Sequence, residues 1–194
     1  EDVFNPKFGM STGDGKLFIR LWFELKREDF CDDLQGANDY RANNVKWVAL
    51  DKGGAYRKWY GNRLNAVWWK DNGKDIKKHP KSAVRSPQLF FTPHISWTLI
   101  STSKFSARYF ENGFAMDTAS NCIYFNGEPQ KYVLAFLNSC VADTYLNVLN
   151  PTMNFSCGVV ALTPYIEEKK EEIKRIAQEN ISLSKEDWDS FETS

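Results

Sequence analysis

Residues 16–25, KLFIRLWFEL, alternate Leu17, Ile19, Leu21, Phe23 and Leu25 with Phe18, Arg20, Trp22 and Glu24. A period of two sustained over this stretch predicts a β-strand, one face buried and the other partly so. STGDG before it and KREDFCDDLQGAND after it are polar and turn-forming. VKWVAL (45–50) and LNAVWW (64–69) read as two further strands, and KDNGKD (70–75) as a turn. From 88 to 125 the pattern predicts irregular strands: QLFFTPHISWTLI is interrupted by Pro93, and CIYFNGE carries the Asn126-Gly127 pair of a tight turn.

Between 131 and 149 the period changes. Val133, Leu134, Leu137, Val141, Tyr145, Leu146 and Leu149 recur at three- and four-residue steps, which predicts one buried helix ended by Asn150-Pro151. VVAL (159–162) reads as a short strand, and Thr163-Pro164 as the N-cap and first turn of a helix to about 180. That helix has only Ile166, Ile173, Ile176 and Ala177 as an apolar stripe, and Ser184-Lys185-Glu186-Asp187 resembles a capping box opening another. The expected fold is therefore α+β: a mixed, largely antiparallel sheet, one buried helix and charged C-terminal helices. Residues 1–165 are expected to form one domain, and 166–194 a truncated helical connector to the rest of a longer polypeptide.

The 194 residues, 42% hydrophobic and 26% charged, are ordinary for a globular domain, and no apolar run is long enough to span a bilayer. No membrane partner is expected. Four cysteines at 31, 122, 140 and 157 lack CxxC spacing; Cys140 and Cys157 read as small core side chains. Reduced thiols and a cytoplasmic location follow as expectations. Net charge is zero, but residues 41–81 hold eleven Lys or Arg against three acids, whereas 166–194 hold five against nine. Trp47, Trp59, Trp68 and Trp69 lie inside the basic block, which suggests a local anionic partner.

Neither GxGxxG nor GxxxxGK[ST] occurs, and His79 and His94 both adjoin prolines and read as turn residues. Glu24-Leu25-Lys26 with Asp14 upstream is the best metal-nuclease candidate. A continuous strand would hold those two carboxylates roughly 30 Å apart, too far for one ion. Glu24 with Asp32 is the remaining pairing, and a stand-alone metal-dependent nuclease is kept as an alternative.

KGGAYRKWYGN (52–62) mixes cations with aromatics between glycines. Cations neutralise phosphates, Arg and Asn read base edges, and aromatic rings stack or pack beneath cations. ISTSKFSARYFENGF (100–114) adds hydroxyls and cations close together. The residues alone leave three readings open: a solvated basic face over a tryptophan-rich core, a nucleic-acid site, and a carbohydrate- or protein-interaction module.

TGDGKLFIRLWFEL, KWVALDKGGAYRKWYGN, ISWTLISTSKFSARYFENGFAMD, YVLAFLNSCVADTYLNVLNPTMNFSCGVVALTPY and ISLSKEDWDSFETS together resemble the C-terminal half of adenine-specific DNA methyltransferases. The likeness is to the PglX-like methyltransferases of BREX phage-exclusion systems and their relatives among type II restriction-modification methylases. It implies a DNA target-recognition domain acting beside a catalytic domain of the same polypeptide. That family uses S-adenosylmethionine and an Asn-Pro-Pro-Tyr tetrapeptide. Here Asn5-Pro6-Lys7-Phe8 and Asn150-Pro151-Thr152-Met153 share only the Asn-Pro. No cofactor and no activity are therefore expected of this chain alone, and its partner is expected to be double-stranded DNA. Residue chemistry then nominates Lys52, Arg57, Lys58, Asn62 and Arg63 as DNA contacts and Trp59 and Tyr60 as supports or wedges. Ser103, Lys104 and Arg108 form a second set. In LNPTMNF, Pro151 is expected to stop the helix and Met153 and Phe155 to re-enter the core.

Overall fold

A computed structural model describes residues 6–125, 130–150, 152–164 and 168–191. The expected Asn126-Gly127 turn, the helix stop at Pro151 and the Ile166 stripe position lie outside the described residues. The α+β class is as expected, with its strands in two sheets.

The first sheet is antiparallel in the order β1 (Pro6–Phe8), β9 (Ser120–Tyr124), β6 (His94–Thr98), β7 (Ala107–Phe110). The second is mixed: β2 (Ile19–Leu21), β5 (Asn65–Trp68) and β4 (Trp47–Asp51) run antiparallel in that order. The far edge of β4 is shared by two short parallel strands. β3 (Phe30–Cys31) pairs with Trp47 and Val48, and β8 (Phe114–Met116) with Ala49 to Asp51.

Strand alternation places the layers. In β6 and β9, Ile95, Trp97 and Ile123 point into a core built with helices α3 (Lys131–Leu137), α4 (Cys140–Leu149), α5 (Cys157–Ala161) and α6 (Lys170–Asp189). Cys122 and Tyr124 point the other way, into a core shared with Val48, Leu50 and Val67 of the mixed sheet. The antiparallel sheet is thus the middle layer. Its helix-distant face also carries His94, Ser120 and Arg108, all fully buried beside Asp51. This puts a polar cluster between the two sheets.

Several local expectations change. Residues 16–25 are not one strand: α1 (Gly15–Phe18), β2 and a 3-10 turn over Trp22–Glu24 follow one another. Asp14 caps α1 by accepting the Leu17 N–H, and Glu24 accepts the Leu21 N–H, so only the middle residues are left to pair with β5. The extended separation of Asp14 and Glu24 therefore does not apply. VVAL is helical, because the Ser156 hydroxyl caps α5 through the Val159 N–H. The expected third helix at 184 is continuous with α6, which begins at Lys170 rather than at Thr163.

The helix expected over 131–149 breaks into α3 and α4, bent by 61°. Buried Asn138 leaves the helix to pair with both backbone groups of Ala107 in β7, at 2.9 and 3.0 Å. Ser139 then caps α4 through the Ala142 N–H. KDNGKD does not simply turn: it opens α2 (Lys70–Lys78), with Asp71, Asn72 and Gly73 all left-handed. Phe155 enters the core as expected, but Met153 is exposed. Cys157 is buried whereas Cys140 is exposed, and His94 is a buried strand residue rather than a turn residue.

Candidate functional site

The stretch KGGAYRKWYGN is the connection between β4 and β5, and its backbone is strongly constrained. Gly53, Gly54, Trp59, Gly61 and Asn62 all have positive φ. Asn62 closes the loop by donating from Nδ2 to the Ala55 carbonyl at 2.9 Å. Trp59 lies alongside β7 like a one-residue strand: its N–H donates to Ala107 and its carbonyl accepts from Tyr109. The loop therefore ties the mixed sheet to the edge of the antiparallel one.

Its cations are already engaged. Arg57 donates to Asp187 of α6 at 2.9 Å, and its guanidinium lies 5.0 Å from the Trp188 ring centroid. Lys58 donates to the Asn138 carbonyl at 2.7 Å. Arg63, with only 8% of its side chain exposed, stands 3.7 Å from the Tyr60 ring centroid and near Phe110 and Phe114. Its Nη2 donates to the Tyr109 carbonyl and to Glu111. Lys52 pairs with Asp117 at 3.7 Å. Burial pushes the Asp117 carboxyl above its ordinary range, with the Ala119 N–H and Lys52 pulling back.

The second expected set divides. Ser103 and Lys104 are exposed, Lys104 reaching Asp143 of α4 at 3.4 Å. Arg108 is fully buried, donating to Thr98 at 3.2 Å and to the Arg57 carbonyl. A guanidinium held there cannot reach a phosphate on the surface, so Arg108 belongs to the polar layer between the sheets. Burial lowers its pKa, partly offset by the charge of Asp51. Burial also opposes ionisation of Asp51, but His94 at 3.5 Å and the Arg108 charge prevail and hold that carboxyl below its ordinary range. Ser120 donates to it at 2.8 Å.

Arg57, Lys58, Trp59 and Tyr60 line a shallow depression of about 330 Å³ against Leu183 and Asp187. Tyr60 and Arg63 line a second cavity of about 370 Å³ with Trp22, Phe30, Phe114 and Trp188. Five of the expected contacts, Arg57, Lys58, Trp59, Tyr60 and Arg63, thus line neighbouring hollows beside α6 rather than a free cationic surface. Trp188 was not among the expected residues.

The free cations lie further along the chain. Residues 70–85 hold Lys70, Lys74, Lys77, Lys78, Lys81 and Arg85 against Asp71 and Asp75. Asp75 accepts from the Trp68 indole at 2.8 Å, and Lys77 donates to the Asn72 carbonyl. Lys70, Lys74, Lys78, Lys81 and Arg85 are exposed, and none has an acidic partner among the described residues. The segment is firmly seated: Ile76 is fully buried, Gly73 packs on Trp69, and Ala83 exchanges two backbone hydrogen bonds with Ser11. The concentration of lysines in 70–81 was the available signal in the sequence.

The nuclease pairing finds no support in the geometry. Glu24 caps its own turn, and Asp32 pairs with Arg27 at 3.4 Å. Among the described residues, no group of three or more His, Cys, Asp or Glu is placed to hold a metal ion.

The whole chain matches the adenine-specific methyltransferase PglX of Lacticaseibacillus casei (strain Zhang), 33% identical over 202 residues and 17% of that protein. The adenine-specific methyltransferase BrxX of Escherichia coli O9:H4 (strain HS) is 33% identical over 190 residues, 96% of this chain and 15% of that protein. The chain is a relative of one region of the PglX-type adenine-specific methyltransferases. It spans less than a fifth of the length of these curated relatives. No family model matches it. Among solved structures, the type IIL restriction-modification enzyme MmeI, determined in complex with DNA, shares the fold with a TM-score of 0.58. That match is 14% identical and covers 95% of this chain and 28% of MmeI.

Proposed function

We propose that this chain recognises a double-stranded DNA target for an adenine-N6 methyltransferase, with methyl transfer carried out by other regions of a longer polypeptide. The kinship with a minor part of PglX and BrxX supports a module of such an enzyme, and the fold likeness to MmeI is consistent with it. The observation that carries the reading is the segment 70–85. Five exposed cations there have no acidic partner among the described residues, on a backbone fixed at both ends. Lysines so placed neutralise phosphates without reading sequence. The 52–63 loop then acts as scaffold, with the partly exposed Lys52, Arg57 and Lys58, and the exposed Ser103 and Lys104, at its margin.

S-adenosylmethionine, the methyl donor of such enzymes, does not fit the residues present. The cavities of about 330 and 370 Å³, and the groove of about 680 Å³ beside α3 and α4, have no glycine among the described residues of their linings. The glycine turn that lets a backbone approach a nucleotide closely is thus not part of those linings. Cofactor binding and base flipping belong, in this reading, to the remainder of the polypeptide.

Anisotropy of a labelled duplex, titrated with the chain at low and at physiological salt, tests the proposal. Binding that weakens steeply with salt is expected. Absence of binding at low salt, or an affinity indifferent to salt, would remove it.

A further inference from the structure

Helix α4 is apolar on two sides. Ala142 and Leu146 point inward and are fully buried. Val141, Tyr145, Val148 and Leu149, at helical steps of four, three and one, form a second stripe that points outward. They are 51%, 43%, 77% and 42% exposed. The periodicity that predicts a single buried face in the sequence thus counts three residues, Val141, Tyr145 and Leu149, that this fold does not bury. A helix hydrophobic around most of its circumference is ordinarily covered on both sides.

The charge pattern agrees. Asp143 is the one charged residue of α4, and Lys104 occupies it. Val141 and Tyr145 also line the groove of about 680 Å³ that runs beside α3 to Pro164 and Ile173, with an apolar majority in its walls. The outward stripe and the groove form one continuous surface. Although α3 and α4 together have the length and composition of a bilayer span, they are bent by 61° and most of α3 is locked in the core.

We infer that the outward stripe of α4 and the adjoining groove dock an amphipathic, apolar-faced helix from the remaining part of a PglX-type polypeptide. The occupant follows from proportion: the chain matches only 17% and 15% of its curated relatives, so most of each relative lies outside it. The inference rests on the reading of this chain as a module of such a methyltransferase. It transfers the inter-module contact from the charged C-terminal helix to α4. Helix α6 is occupied otherwise, with Ile181 and Trp188 in this chain's own core.

The test compares the isolated chain with a chimaera in which this chain replaces the matching region of the Lacticaseibacillus casei methyltransferase. Val148→Cys is introduced in both, and Leu17→Cys, at an exposed apolar position on α1, serves as control. Maleimide labelling is read by peptide mass spectrometry. Val148→Cys is expected to label at least tenfold more slowly in the chimaera, while Leu17→Cys labels equally in both. Val141→Glu/Val148→Glu is expected to leave the melting temperature and duplex affinity of the isolated chain unchanged. In the chimaera it should restore fast labelling at Cys140, the exposed first residue of α4. Equal rates for Val148→Cys in the two contexts would overturn the inference. So would protection that already arises in the isolated chain, through self-association or on lipid vesicles of mixed zwitterionic and anionic composition. Duplex affinity, measured separately on the isolated chain, shows whether the DNA reading stands or falls on its own.

Discussion

Arg57 donates to Asp187 across 130 residues of sequence at 2.9 Å, and the same guanidinium lies 5.0 Å from the ring centroid of Trp188. One side chain from the basic loop thereby fastens the end of the longest helix. Trp188 is 8% exposed and shares a core with Tyr60, Ile95 and Trp97. Trp188→Ala should cost about 3–5 kcal/mol, the range for truncating a buried aromatic. Urea unfolding checks this: a loss below about 0.5 kcal/mol, the size of an ordinary surface substitution, would show that α6 is an appendage to the domain.

Gly61 sits beneath that contact with φ of 123°, and a Cβ there would come within 2.8 Å of Arg57 Cδ and 3.0 Å of the Trp188 ring. Gly61→Ala combines backbone strain with displacement of both partners, for a loss of roughly 1–3 kcal/mol. A double-mutant cycle with Trp188→Ala should be strongly non-additive, since the two changes disturb one contact. Additive losses would place the strain elsewhere.

The two buried carboxylates near the middle sheet titrate in opposite directions. The Asp51 pKa is depressed, so its stabilisation is complete above the ordinary value of 3.8 and is lost as pH falls through the lower folded value. Asp51→Asn leaves Arg108 buried without its counter-charge. It should cost about 3–5 kcal/mol at neutral pH, a deficit that narrows in strong acid. The Asp117 pKa is raised by burial, so its favourable contribution is complete below 3.8 and is lost as pH rises through the higher folded value. Asp117→Asn, which can still accept from Ala119, should therefore be neutral or stabilising by up to about 1 kcal/mol at neutral pH. It should lose that advantage below the ordinary carboxylate range. Unfolding midpoints of both variants across pH 3–7 check the signs; parallel pH profiles would contradict the assignment.

Strands whose alternation is matched by a long partner were legible. Trp47–Asp51 and Asn65–Trp68 are strands as their pattern predicts, and the structure pairs them with each other. The alternation in 16–25 was stronger on paper, yet Asp14 and Glu24 consume its ends as caps, and Leu17 is 55% exposed. Local capping outweighed periodicity there, as it did when Ser156 made a helix of VVAL. The 131–149 pattern could not show its break, because what stops α3 is the pairing of Asn138 with Ala107, a contact between distant segments.

The candidate site was legible in composition and not in placement. The sequence showed that cations and aromatics crowd into 41–81, but not which cations the fold would consume. Arg63 is enclosed by Tyr60, Phe110 and Phe114, and Arg108 is placed by strand register on the inner face of β7. Both outcomes depend on partners far along the chain. Lys74, Lys78 and Lys81 stay free because no acidic residue folds back upon them among the described residues.

The salt dependence of duplex affinity, compared between the parent chain and Lys74→Gln/Lys78→Gln/Lys81→Gln, tests the DNA reading most directly. With these lysines on phosphates, the triple variant should bind at least tenfold more weakly, and its slope of log affinity against log salt should be shallower by about two to three. All three positions are exposed, so the melting temperature should not move. An unchanged slope in the triple variant, with affinity lost instead in Lys52→Gln/Lys104→Gln, would contradict the placement of the DNA face on residues 70–85.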